Sequence, residues 1–93
     1  MNLDQRQKDD LRAALLEFYA LRPRAAFSAQ QVAGLINRAK LVDFTPSPEQ
    51  IEDANALLLG AGLVDRLYEP LGSTPLYRAT TAGVLQYERG ASA

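Results

Sequence analysis

The sequence predicts one small α+β domain, mainly helical, in which a three-helix core carries a short antiparallel β-hairpin and a short C-terminal helix. Three observations point there. Ser28-Ala29-Gln30-Gln31 and Ser47-Pro48-Glu49-Gln50 are helix starts of the capping-box kind, where a serine hydroxyl accepts from the third amide and a glutamine reaches back. Gly62 supplies the left-handed end of the helix begun at Ser47, and the apolar pair Leu63-Val64 follows at once. Glu69-Pro70-Leu71-Gly72-Ser73-Thr74-Pro75 then forms a turn between two strand-like runs.

The first helix is expected from Leu3 to Leu21, capped by Asn2 with Gln5 three residues on and stopped by Pro23. Leu11, Ala14, Leu15, Phe18 and Leu21 share one face at helical spacing and form its core stripe. Ala13, Leu16 and Ala20 make the opposite face apolar too. A helix apolar on two sides is covered on two sides, by the rest of its own domain or by a second copy, so these three are the candidate self-association residues of a homodimer.

Ala26-Phe27 is a candidate short strand before the second helix, which runs from Ser28 to about Arg38 with Val32, Leu35 and Ile36 inward and closes on Asn37-Arg38-Ala39-Lys40. Between the second and third helices, Val42 and Phe44 alternate as in a short strand and are expected to cap the core; exposed, they would join Leu71 in an apolar patch for a protein partner. In the third helix Pro48 takes the first position, where its missing N–H costs nothing, and Ile51, Asn55 and Leu58, with Ala54 and Ala61, face inward. A buried amide left unpaired costs about 1–3 kcal/mol, so Asn55 is expected to find a backbone partner. Leu63–Tyr68 and Leu76–Thr80 are the strands, shortened by the flanking prolines. Thr81 to Glu88 is a short last helix; residues 1–89 form the domain and 90–93 a frayed tail.

With no cysteine and no histidine, the chain lacks a thiol nucleophile, a disulfide framework, the commonest general base and the commonest metal ligands. No catalytic, metal or cofactor site is expected, and the protein reads as a non-enzymatic binding module. No apolar run approaches the roughly 18–20 residues of a membrane span, and the N-terminus carries no signal-like segment, so a cytoplasmic location is the expectation.

Over residues 3–88 the order of elements resembles the winged helix-turn-helix superfamily. Leu58-Leu59-Gly60-Ala61-Gly62-Leu63-Val64 is similar to the hand-over from recognition helix to first wing strand. Tyr77-Arg78-Ala79-Thr80-Thr81-Ala82-Gly83 resembles the Tyr-x-x-Thr-x-x-Gly exit from the second wing strand in bacterial regulators of the multiple-antibiotic-resistance and phenolic-acid-repressor types. The resemblance implies that the helix from Ser47 to Ala61 enters the DNA major groove and that residues 69–75 lie along the minor groove or backbone.

At those positions the chemistry departs from the pattern. The outward face of the third helix carries Ser47, Glu49, Glu52, Asp53 and Ala56, and the turn, with Leu71 at its tip, holds no Lys or Arg. Groove contacts favour Arg, Lys, Asn and Gln; one carboxylate can accept from cytosine N4, but several beside phosphate repel it. The net charge is −1, and residues 47–93 hold three Lys/Arg against six Asp/Glu, whereas residues 1–46 hold seven against five. Early in a helix, acidic residues also stabilise its positive end by a few tenths to about 1 kcal/mol, so the face is equally read as a solvated surface. The candidate phosphate contacts are Arg22, Arg24, Arg38 and Lys40, provided they form one patch beside the third helix. Arg66 and Arg78 on facing strands are expected to pair with Asp65 or Glu69. Two functions therefore stand: an interaction or assembly module with a protein partner, favoured slightly by the missing positive charge, and a transcriptional regulator, or accessory subunit of one, bound to double-stranded DNA.

Overall fold

A computed structural model describes residues 3–68 and 70–92. The elements run α1 (Gln5–Ala20), α2 (Ala29–Ala39), α3 (Pro48–Gly60), β1 (Val64–Tyr68), β2 (Pro75–Ala79) and α4 (Thr81–Ser92). The strands pair antiparallel, from Val64 opposite Ala79 to Tyr68 opposite Pro75. Phe27 adds a single-residue bridge on the free side of β2, exchanging both backbone hydrogen bonds with Tyr77 at 2.8 and 2.9 Å. The expected strand at Ala26-Phe27 is thus one residue long.

Local chemistry fixes the helix starts. Ser28 with Gln31 and Ser47 with Gln50 form complete capping boxes, and Pro48 sits in the first turn of α3. The cap of α1 differs from expectation: Asp4 accepts from the Gln7 amide while Gln7 reaches back. Asn2, the expected cap, lies outside the described residues. Asn2/Gln5 and Asp4/Gln7 offer the same capping spacing, so sequence alone does not choose between them.

The core gathers Leu11, Leu15, Phe18 and Tyr19 from α1, Val32 and Ile36 from α2, Ile51 and Leu58 from α3, and Val64, Tyr77 and Ala79 from the hairpin. Leu35, expected inward, is partly buried against it. α1 touches α3, α4 and β2, so the helix apolar on two sides is largely wrapped by its own domain. Leu21 departs from the expected stripe. The helix ends at Ala20, the chain turns, and Leu21 is left 60% exposed. Ala61 is exposed as well, since α3 ends at Gly60 and Ala61 is its cap. Val42 and Phe44 form no strand, but both pack against the core, and Pro46 between them and α3 is fully buried.

Asn55 is fully buried, and its partner is a side chain where a backbone group was expected: the Tyr19 hydroxyl donates to Asn55 Oδ1 at 3.0 Å. Asn55 Nδ2 has no hydrogen-bond partner among the described residues. Burial raises the Tyr19 phenol well above its usual range, against the lowering effect of that hydrogen bond.

The Tyr-x-x-Thr-x-x-Gly run acquires a physical meaning. The Tyr77 ring is buried in the core. Thr80 caps α4, its hydroxyl accepting from the Gly83 amide at 3.0 Å, and also donates to the Gly62 carbonyl at 2.7 Å. Gly62 itself holds a left-handed φ of 76°. A Cβ on Gly83 would stand 2.0 Å from the Leu63 carbonyl oxygen, so only glycine lets α4 lie this close to the α3–β1 connection. α4 continues to Ser92, past the expected end at Glu88 and through residues 90–92 of the expected frayed tail. No helix is long and apolar enough to cross a membrane among the described residues.

Candidate functional site

The capping box and Pro48 set where α3 starts, and Ile51, Ala54, Asn55 and Leu58 fix which side faces the core. Glu49, Glu52, Asp53 and Ala56 are consequently all exposed on the other side, with Ser47 half-buried at the cap. Leu57 is 56% exposed at the edge of the same face. Among the described residues none of the three carboxylates is in an ion pair. The wing tip stands clear of the body: residues 70–74 are exposed and Leu71 is completely bare.

Two neighbouring features alter the electrostatics of this face. Tyr77 is cross-strand from Arg66, on the strand face that carries buried Val64 and Ala79. Its phenol is raised by burial first and by the charge of Glu52 second, while Arg66 opposes the shift. Glu52 and Arg66 thus face a common hydroxyl at the junction of α3 and the wing. On the other side, Lys8 and Arg12 of α1 line a cavity of about 250 Å³ with Gln50, Asp53 and Leu57 of α3. Arg12 also pairs with Asp9. Sequence reasoning passed over these two cations, although their i, i+4 spacing placed both on one side of α1.

Of the four basic residues singled out from sequence, two are brought to one groove. Arg22 and Arg38 line one groove of about 330 Å³ with Phe18, Leu21, Leu35 and Leu41, to which α3 contributes nothing. Arg22 lies over the Phe18 ring, 4.3 Å from its centroid, and donates to the Phe18 carbonyl at 3.2 Å. Arg24 is exposed in the turn after α1, and Lys40 ends α2 in a left-handed conformation, φ 54°. Asp65 stands opposite Arg78 in the register, yet no ion pair joins them among the described residues. Glu69, the other expected partner, lies outside those residues.

Of the self-association candidates, Ala13 is exposed, Leu16 is half-buried and Ala20 is buried within the domain. Ala13 and Leu16 form one wall of a trough whose other wall is α4. No group of three or more His, Cys, Asp or Glu side chains is placed to hold a metal ion among the described residues.

No family model matches the sequence, and no curated protein does. Solved structures do match. A PadR-like transcriptional regulator from Bacillus cereus superposes with a TM-score of 0.70 at 16% identity, over 96% of this chain and 84% of that one. A transcriptional regulator from Clostridium thermocellum gives 0.61 at 14% identity, over 98% and 86%. The ferric uptake regulator from Francisella tularensis, solved with iron, gives 0.64 at 14% identity over 87% of this chain, which spans only 55% of that protein. Its helix order and hairpin, together with these likenesses, give the chain a winged-helix fold, shared with the regulators it superposes on.

Proposed function

We propose that this chain is a non-enzymatic transcription-regulator module that engages duplex DNA through α3 and the wing. The observation that carries the reading is the uncovered pair of elements: the outward side of α3 and the tip of the hairpin both lie open to solvent. Two of the superposed structures are of transcriptional regulators, which supports the DNA reading over an interaction module.

Charge then sets the kind of binding. With Glu49, Glu52 and Asp53 on the groove-facing side, backbone attraction must come from cations around that side. Lys8 and Arg12 stand on the α1 flank and Arg66 and Arg78 on the wing strands. Such a module holds generic DNA weakly, and an acidic side chain in the groove discriminates by accepting from cytosine N4.

Fluorescence anisotropy against a labelled random duplex, at about 50 mM and about 200 mM salt, tests this. Weak binding at the lower salt, lost at the higher and reduced by Arg66→Ala with Arg78→Ala, is the expected result. Absence of binding at the lower salt with protein at about 100 μM, weaker than the usual non-specific range, would reject the DNA reading. One observation favours a second reading, docking of a protein partner on α3: its three carboxylates have no ion-pair partner among the described residues.

A further inference from the structure

Away from α3 and the wing lies an open trough of about 710 Å³, walled by α1 and α4 and closed at one end by the α2–α3 connection. Its apolar surface comes from Ala13, Leu16, Leu41, Val42 and Tyr87, and Gly90 leaves the α4 wall open. Three carboxylates rim it: Asp10, Glu17 and Asp43. The Arg6 guanidinium reaches Asp10 at 2.8 Å and Asp43 at 3.6 Å, and the Tyr87 hydroxyl donates to Glu17 at 3.2 Å. The rim is therefore orientated and net negative, with one cation shared between two acids. No residue of α3 or of the wing lines the trough, so it stays open while they are engaged.

We infer that this trough is a docking site for a basic amphipathic helix from a different polypeptide. Its two walls are helices with an apolar strip between them, which suits the apolar stripe of a third helix about 10 Å across. Lys or Arg on the flanks of that stripe would meet Asp10, Glu17 and Asp43. The same charges disfavour a second copy of this chain as the occupant. A two-fold contact across the trough would set each acidic rim against its own duplicate. The inference does not depend on whether α3 binds DNA.

A synthetic peptide of roughly 18 residues, leucine and lysine in amphipathic helical order, is the probe; the same leucine pattern with glutamate is the control. Amide shifts of the ¹⁵N-labelled protein report the location. Expected is saturable binding of the lysine peptide, with shifts at Ala13, Leu16, Val42 and Gly90, and none with the glutamate peptide. Ala13→Arg, at an exposed position, should weaken binding by about tenfold or more by filling the trough. Asp10→Asn with Asp43→Asn should weaken it severalfold, each variant keeping the parent thermal melt. Shifts centred on Glu49, Glu52 and Asp53, shifts spread over the surface, equal binding of both peptides, or no binding would each overturn the inference. So would a dimer, seen by sedimentation, that Ala13→Arg dissociates, because the trough would then belong to a second copy.

Discussion

At the scale of single residues, two positions carry more than their size suggests. Gly83 exists because α4 crosses the α3–β1 connection with no room for a methyl group. Gly83→Ala sets a Cβ against a backbone carbonyl that cannot rotate away, so the expected loss is about 3 kcal/mol, the upper end for overpacking. The midpoint of urea unfolding should fall with its slope unchanged. The Tyr19–Asn55 pair is the second case. Tyr19→Phe leaves both polar atoms of a buried amide unpaired and is expected to cost about 1–3 kcal/mol. Tyr19→Phe with Asn55→Leu removes the orphaned groups and should recover part of that loss; a double mutant no more stable than Tyr19→Phe alone contradicts this account.

At the scale of elements, the parts legible in the sequence are those whose cause is local. The caps at Ser28 and Ser47 and the stop at Gly62 each need only a few neighbouring residues, and each is found where the sequence puts it. What escapes is set at a distance. Leu21 belongs to the apolar period of α1 yet lies beyond its last turn, and Asn55 meets a tyrosine 36 residues away. The candidate site divides the same way. The outward acidic face of α3 follows from its period, whereas the meeting of Arg22 and Arg38 in one groove depends on how two helix ends pack. Lys8 and Arg12 show as neighbours of α3 only in three dimensions. For α3 itself, Glu52→Gln with Asp53→Asn removes two charges that face phosphate under the DNA reading. Affinity for a random duplex at about 50 mM salt should rise about five- to tenfold, checked by the same anisotropy titration.

For the whole molecule, the response to alkali is set by buried phenols. Tyr19 and Tyr77 both have folded pKa values raised above the ordinary 10.0, chiefly by burial. A phenol so shifted holds its proton more tightly when folded. The stability it contributes is fully present below about pH 10 and is lost as pH rises from there towards the folded value. Thermal or urea stability should therefore decline above about pH 10, by at most about 1.4 kcal/mol per pH unit for each phenol, and Tyr19→Phe should make the decline shallower while Tyr77 keeps its share.

The bonds by which Thr80 ties the end of β2 to the α3–β1 connection have a mechanical consequence. The hairpin is fastened at its root, where Thr80 binds the Gly62 and Leu63 carbonyls and Phe27 holds Tyr77. Its tip at residues 70–74 is free in solvent. An arm built so behaves as a cantilever. A load taken up at the tip travels down both strands and reaches the residues that follow α3 through the β1 backbone and through Thr80, while Phe27 shares the part carried by β2. The end of α3, continuous with β1, is the part of that helix most directly coupled to the tip.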